Sequence, residues 1–243
     1  MQLSTSTSGS GPRHVGLVHG LAASGNTWQL LVDLMLATGE YTVTTVDLRG
    51  HGTSVRSESY AVDGLAEDLV ETLPTGLDSV VGHSLGGSVL ARAVEHLTPA
   101  RAIYLDPGFH LALPTTGIKG RLFWAAPLLT LGVAQLPQAR IQKRVKAGYP
   151  QQVRNLLDQA QAQFDGTMAL GIFRDVAFHL IPASPPVVPS TIVLSDDSPA
   201  VLPEALVPGY QTAGWDVRRI SGIHHDMQLE DPARVLAAIR DVL

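Results

Sequence analysis

Ser84 stands between glycines in Gly82-His83-Ser84-Leu85-Gly86-Gly87, directly after the β-branched run Ser79 to Val81 and before a segment with helical spacing. Glycine on both sides removes side chains that would collide with neighbouring backbone, so the chain can turn sharply and leave the hydroxyl exposed at a strand's carboxyl end. A helix starting behind the serine brings backbone amides that favour developing negative charge. G-x-S-x-G in this strand-to-helix context is the pattern of a nucleophile elbow. The same residues also suit a serine that merely caps the helix.

A serine hydroxyl is a weak nucleophile until a base takes its proton. The best base lies in Ser-Gly-Ile-His-His-Asp-Met-Gln-Leu-Glu-Asp-Pro, residues 221 to 232, between the last expected strand and the last expected helix. A loop histidine there would reach the same sheet edge as Ser84. Its distance from the helix start at Leu229-Glu230-Asp231-Pro232 favours His225 over His224. Val18-His19-Gly20-Leu21-Ala22 follows another expected strand, and its glycine lets an amide turn inward. The Leu21 and Leu85 amides would then be two donors for the oxyanion of a tetrahedral intermediate.

The elements that must position these groups alternate. Strands are expected at His14 to Val18, Tyr41 to Val46, Ser79 to Val81 and Arg101 to Leu105, with helical spacing between them at Trp28 to Leu36 and Leu65 to Leu73. Such alternation implies parallel pairing with helical crossovers, hence an open α/β sheet. From Pro107 to Pro189 no strand is expected, only helical spacing broken by prolines. The alternation then resumes with Thr191 to Leu194, Asp216 to Ile220 and a closing helix Pro232 to Leu243. Residues 1–106 and 190–243 therefore read as one core and 107–189 as a helical insertion, with no strand assigned to the low-complexity Ser/Thr/Gly opening.

Composition sets bounds on partners. At 243 residues, 45% hydrophobic and 16% charged, the chain is of globular type, and a net charge of −5 gives no reason to expect nucleic acid or an anionic membrane. Having no cysteine, the chain has neither disulfides nor thiol chemistry, which fits a reducing cytoplasm. The opening residues lack the charged start and apolar run of a signal peptide. The most apolar stretch, Leu122 to Leu136, contains Pro127 and is shorter than the roughly 20 residues a spanning helix needs. Charge is uneven: the insertion carries eight Lys or Arg against three Asp, and the rest nine against nineteen acidic residues. That imbalance could dock the two layers or steer anionic substrates, or it could reflect solvated helix faces.

Together, His19-Gly20, Asp47-Leu48-Arg49-Gly50-His51-Gly52-Thr53-Ser54, Gly82 to Gly87 and the late His225 before Leu-Glu-Asp-Pro resemble the α/β-hydrolase superfamily, in the same order along the chain. The resemblance implies a mostly parallel central sheet flanked by helices, with the insertion as a helical lid. It also implies an acid that holds the histidine in its working tautomer. The family usually places that acid after the penultimate strand, which here leads into Leu194-Ser195-Asp196-Asp197-Ser198-Pro199. The usual position falls at Ser198 or Pro199, with Asp197 slightly early. Some members use an acid from the strand after the elbow helix, which is Asp106 in Tyr104-Leu105-Asp106-Pro107. Asp106 leads, with Asp197 as the alternative.

The reading is a serine hydrolase that cleaves a carboxylic ester, thioester or lactone, without metal or cofactor. The alternatives are a ligand-binding protein on the same fold, a carbon-carbon bond hydrolase and a cofactor-free perhydrolase. Phe123 and Trp124 are expected on the pocket wall, favouring apolar substrates. Asp47 and Arg49 should pin the loop that follows their strand, and Asp226 should be exposed. The histidines show no metal-binding spacing.

Overall fold

The computed structural model describes residues 1–111, 113–127, 130 and 143–243. Seven strands form one sheet in the order β1-β3-β2-β4-β5-β6-β7. They are β1 (Ser4–Gly9), β2 (Arg13–Val18), β3 (Tyr41–Asp47), β4 (Ser79–His83), β5 (Arg101–Leu105), β6 (Ser190–Leu194) and β7 (Asp216–Arg219). All neighbours pair in parallel except β1 with β3. Parallel strands covered on both faces show no alternation of buried and exposed residues, and β4 and β6 are buried at every position.

Helices cover both faces, and a short one, α7 (Val207–Thr212), leads into β7. On one side α2 (Val62–Thr72) and α3 (Leu85–Leu97) pack Leu65, Leu69, Val89 and Leu90 against Val80, Tyr104 and Ile192. On the other, α1 (Gln29–Leu36) and the closing α9 (Pro232–Ile239) pack Leu31, Met35, Val235 and Ile239 against Leu17, Val81 and Ile103. Each fully buried Leu or Ile of these layers contributes roughly 1.5–3 kcal/mol relative to exposure. This anchors the carboxyl ends of β2, β4, β5 and β6, where the site lies.

The first strand departs from expectation. The Ser/Thr/Gly opening pairs with β3 over six residues, Ser4 opposite Asp47 through Gly9 opposite Thr42. Both faces of β1 are largely exposed, so its sequence carries no apolar alternation, and its stability comes from backbone pairing and contacts such as Thr7 to Thr44 at 2.9 Å.

Between β5 and β6 the described residues hold α4 (Gly117–Ala125), helical residues 143–148, α5 (Gln151–Ala162) and α6 (Met168–Phe178), and no strand. Two aspartates of the insertion tie it to the core. Asp165 accepts from the Tyr60 hydroxyl at 2.7 Å, and Asp175 accepts from the Val62 amide at 2.7 Å. Among the described residues only one ion pair joins a basic side chain of the insertion to the acidic core, Lys146 to Asp226 at 3.4 Å. Apolar packing and these hydrogen bonds dock the insertion more than its surplus of positive charge does.

Candidate active site

Between β4 and α3, Ser84 adopts φ 51° and ψ −115°, a left-handed conformation that costs an L-residue about 1–3 kcal/mol. The flanking glycines make the turn possible. A Cβ on Gly86 would fall on the Val18 carbonyl oxygen, and one on Gly82 would meet the Gly86 carbonyl at 2.5 Å. Ser84 sits where a helix cap would, yet its side chain makes no capping hydrogen bond. Its Oγ instead lies 3.0 Å from His225 Nε2.

His225 lies in the loop between β7 and the short helix α8 (Met227–Glu230). Its Nδ1–H donates to Asp106 Oδ2 at 3.2 Å, which leaves Nε2 free to accept from Ser84. Asp106 ends β5 at φ 40° and is fully buried. Its Oδ1 accepts from the Ser195 amide at 2.8 Å and from the Ser198 hydroxyl, and its Oδ2 accepts from the Ser195 hydroxyl as well as His225. Asp197 is close but plays a different part, its Oδ2 accepting from the backbone amide of His225 at 3.3 Å. Of the two acids named from sequence, Asp106 meets the imidazole and Asp197 the main chain.

The charges follow from this arrangement. Burial alone would push His225 down, but the hydrogen bond and negative charge of Asp106 outweigh it, with Asp226 and Asp197 adding, and its pKa lies above the ordinary value. Burial would push Asp106 up, and His225 with the two serines outweighs that and holds the carboxylate below its ordinary range. Asp226 is not the exposed residue expected: its side chain is 19% exposed, it pairs with Lys146, and it borders the same cavity as Ser84. Its neighbour in sequence carries it there, because the loop must present His225 inward.

Three other histidines hold the site's loops while remaining neutral. His83, inside the elbow motif, donates from Nε2 to the His225 carbonyl at 2.8 Å and accepts from Gln228 at 3.4 Å. Burial and the nearby His225 lower its pKa to about 4. His19 donates from Nδ1 to the Gly20 carbonyl at 2.7 Å and accepts the Leu48 amide at 3.0 Å, and burial lowers it to about 4. His51 accepts the Ala22 amide at 3.2 Å and donates to the Arg49 carbonyl at 3.1 Å, and burial beside His19 lowers it to about 3. From sequence, His51 and His83 are weighed only as metal ligands and His19 only as part of the His-Gly motif. Their places inside the His-Gly, Gly-His-Gly and Gly-His-Ser segments were the available signal. Among the described residues no group of three or more His, Cys, Asp or Glu could hold a metal ion.

His51 thereby fixes the turn at Ala22 (φ 58°), next to Leu21. Neither the Leu21 nor the Leu85 amide donates to an acceptor among the described residues, and both residues border the cavity. Asp47 accepts the Gly25 amide at 2.7 Å and the Thr53 amide at 2.9 Å. Arg49 grips both oxygens of Asp68 at 2.7 Å each. These two side chains brace the loop after β3 and stay off the cavity.

The cavity has a volume of about 250 Å³. Its lining includes the apolar side chains of Leu21, Leu85, Leu111, Ile172, Phe173 and Val176 and the charged ones of Lys146, Asp197 and Asp226. Phe123 and Trp124, expected on this wall, are not among its lining residues. Trp124 turns into the insertion, donating to the Pro114 carbonyl at 2.9 Å and packing on Phe123 and Phe178 at ring separations of 5.3 and 5.4 Å. An aromatic cluster within the insertion satisfies both residues, and α6 supplies the wall instead. Of the stretch Leu122 to Leu136, residues 128, 129 and 131–136 lie outside the described residues.

The chain belongs to the alpha/beta hydrolase family, whose model matches residues 17–238. Its fold is similar to that of an N-acyl homoserine lactone degrading enzyme, with a TM-score of 0.74 at 18% identity over 99% of this chain and 96% of the other. An epoxide hydrolase of Bacillus megaterium, solved with an inhibitor, gives the same TM-score of 0.74, at 18% identity over 99% and 96% of the two chains. A marine microorganism esterase gives 0.64 at 15% identity over 100% and 99%. At such identities the likeness is one of fold. Among the described residues no helix is long and apolar enough to cross a membrane.

Proposed function

We propose that this protein is a serine hydrolase acting on a carboxylic ester, thioester or lactone with apolar groups, through an acyl-enzyme on Ser84. The observation that carries the reading is the unbroken relay Asp106 Oδ2 to His225 Nδ1 at 3.2 Å and His225 Nε2 to Ser84 Oγ at 3.0 Å, bordering a cavity of mixed apolar and polar lining. His225 takes the Ser84 proton as Oγ attacks the carbonyl carbon. The Leu21 and Leu85 amides stabilise the oxyanion, and Asp106 stabilises the imidazolium. The leaving alcohol, or thiol, takes the proton from His225. Water, deprotonated by the same histidine, then releases the acid. The serine at the elbow separates this chemistry from that of relatives that attack an epoxide with an aspartate at that position. The insertion, as a lid over the cavity, would set acyl and alcohol preference through Ile172, Phe173 and Val176.

The test is intact-protein mass spectrometry after a fluorophosphonate, alongside burst kinetics on a p-nitrophenyl ester. One adduct and one burst equivalent per wild-type chain, both absent in Ser84→Ala, are the expected result. Ester turnover that survives Ser84→Ala would sink the assignment.

A further inference from the structure

Ser198 occupies the place where the family pattern usually carries its acid, and in this chain its hydroxyl donates to Asp106. Ser195, on the same loop after β6, donates to Asp106 from both its amide and its hydroxyl. Both serines are fully buried, as is the carboxylate. Among the described residues the Ser198 hydroxyl makes no other hydrogen bond. The loop that would otherwise supply an acid has therefore become the loop that holds one.

We propose that Ser195 and Ser198 are positioning residues for the Asp106–His225 pair, their hydroxyls fixing the plane of the carboxylate and drawing part of its charge away from the imidazole. The terminal torsion of an aspartate is broad, so its own rotamer does not set the plane in which it meets His225. Donors from a second strand's loop do. Oδ1 is shared by the Ser195 amide and Ser198, while Oδ2 is shared by the Ser195 hydroxyl and His225. Each hydroxyl places the positive end of its dipole on the anion. Without them the buried carboxylate would lack two charge-assisted bonds, and its full charge would act on its remaining side-chain donor, His225.

The catalytic consequence rests on the serine-hydrolase reading, but the interaction itself is measurable without substrate. The other titratable groups around His225 are His83, His224, Tyr149, Asp197 and Asp226, with Lys146 behind Asp226 and Glu230 behind His224, and none changes in the variants below.

The experiment is an NMR titration of 13C-histidine-labelled full-length protein, with His225 assigned by His225→Gln, paired with the rate of Ser84 modification by a fluorophosphonate. Ser198→Ala should raise the His225 midpoint by about half a pH unit, and Ser195→Ala/Ser198→Ala by about one, with modification roughly tenfold slower. Ser190→Ala removes a buried hydroxyl that donates to the Val188 carbonyl at 2.8 Å, far from Asp106 in the hydrogen-bond network. It should cost stability alone and leave the midpoint in place. If the double variant fails to fold, the two single variants carry the same comparison. A midpoint that stays put or falls in folded serine variants, or one that rises as much in Ser190→Ala, would overturn the proposal. A wild type inert to the reagent whose midpoint still rises on serine removal would count against the hydrolase reading while supporting the positioning role of Ser195 and Ser198.

Discussion

The cavity has two walls built on different principles. The core wall, which carries Ser84, His225 and the Leu21 and Leu85 amides, is set by backbone. Ala22, Ser84 and Asp106 all hold positive φ, glycines admit carbonyls where a Cβ would collide, and three neutral histidines tie the loops. The insertion wall is set by side chains. Ile172, Phe173 and Val176 reach the cavity from α6, whose helix is held by apolar packing and by the hydrogen bond from the Val62 amide to Asp175. Reacting atoms must be placed to within a few tenths of an ångström, which strained backbone and buried hydrogen bonds can do. An apolar substrate surface tolerates looser placement, because dispersion and burial are not directional.

The sharpest way to break this contrast lies on the core wall. Asp106→Asn should lower kcat by about 10³–10⁴-fold while the protein stays folded, whereas Asp197→Asn should cost less than about tenfold. Because Asp106 holds the His225 pKa above its ordinary value, kcat/KM should rise with pH as His225 loses its proton, through a limb lying above that value. Asp106→Asn should move that limb toward acid. Steady-state profiles of both variants check the sign, and a larger loss in Asp197→Asn would reverse the assignment.

On the insertion wall the expected effect is smaller and of a different kind. Phe173→Ala should raise KM by about tenfold for esters with bulky apolar groups and change kcat by less than about threefold. A fall in kcat with KM unchanged would show that α6 takes part in placing the reacting atoms, and the two walls would no longer differ.

The smallest effect separates strain that serves the site from strain that does not. Thr98, the exposed residue after α3, also holds positive φ (45°) but touches neither wall. Thr98→Gly should stabilise the protein by about 0.5–1 kcal/mol, raising Tm by roughly 1–4 °C in calorimetry with ester turnover unaltered.

Much of this molecule was legible from its sequence, for local reasons. The turn at Ser84 needs glycine at fixed offsets, so Gly82-His83-Ser84-Leu85-Gly86 announces it, and five of the seven strands, β2 to β6, are rich in apolar or β-branched residues. Strand β1 was not legible, because an exposed edge strand needs no apolar face and shows no alternation. Phe123 and Trp124 were misplaced for a related reason. Composition marks them as buried, but which aromatic partner buries them depends on how α4 meets α6 in space.

The acid shows the division most clearly. Asp106 and Asp197 are both aspartates at the ends of neighbouring parallel strands, and chain distance does not rank them. The register of β5 against β6, with Leu105 opposite Val193, places the Asp106 carboxylate among Ser195, Ser198 and His225. The same packing turns Asp197 to the His225 backbone. The sequence by itself marked Ser84, His225 and the sheet that carries them, because those depend on short-range backbone sterics and strand-helix periodicity. Only the tertiary structure decided which aspartate meets the His225 imidazole, which residues line the cavity and the neutral state of His19, His51 and His83. Those depend on which groups from distant segments exclude water together.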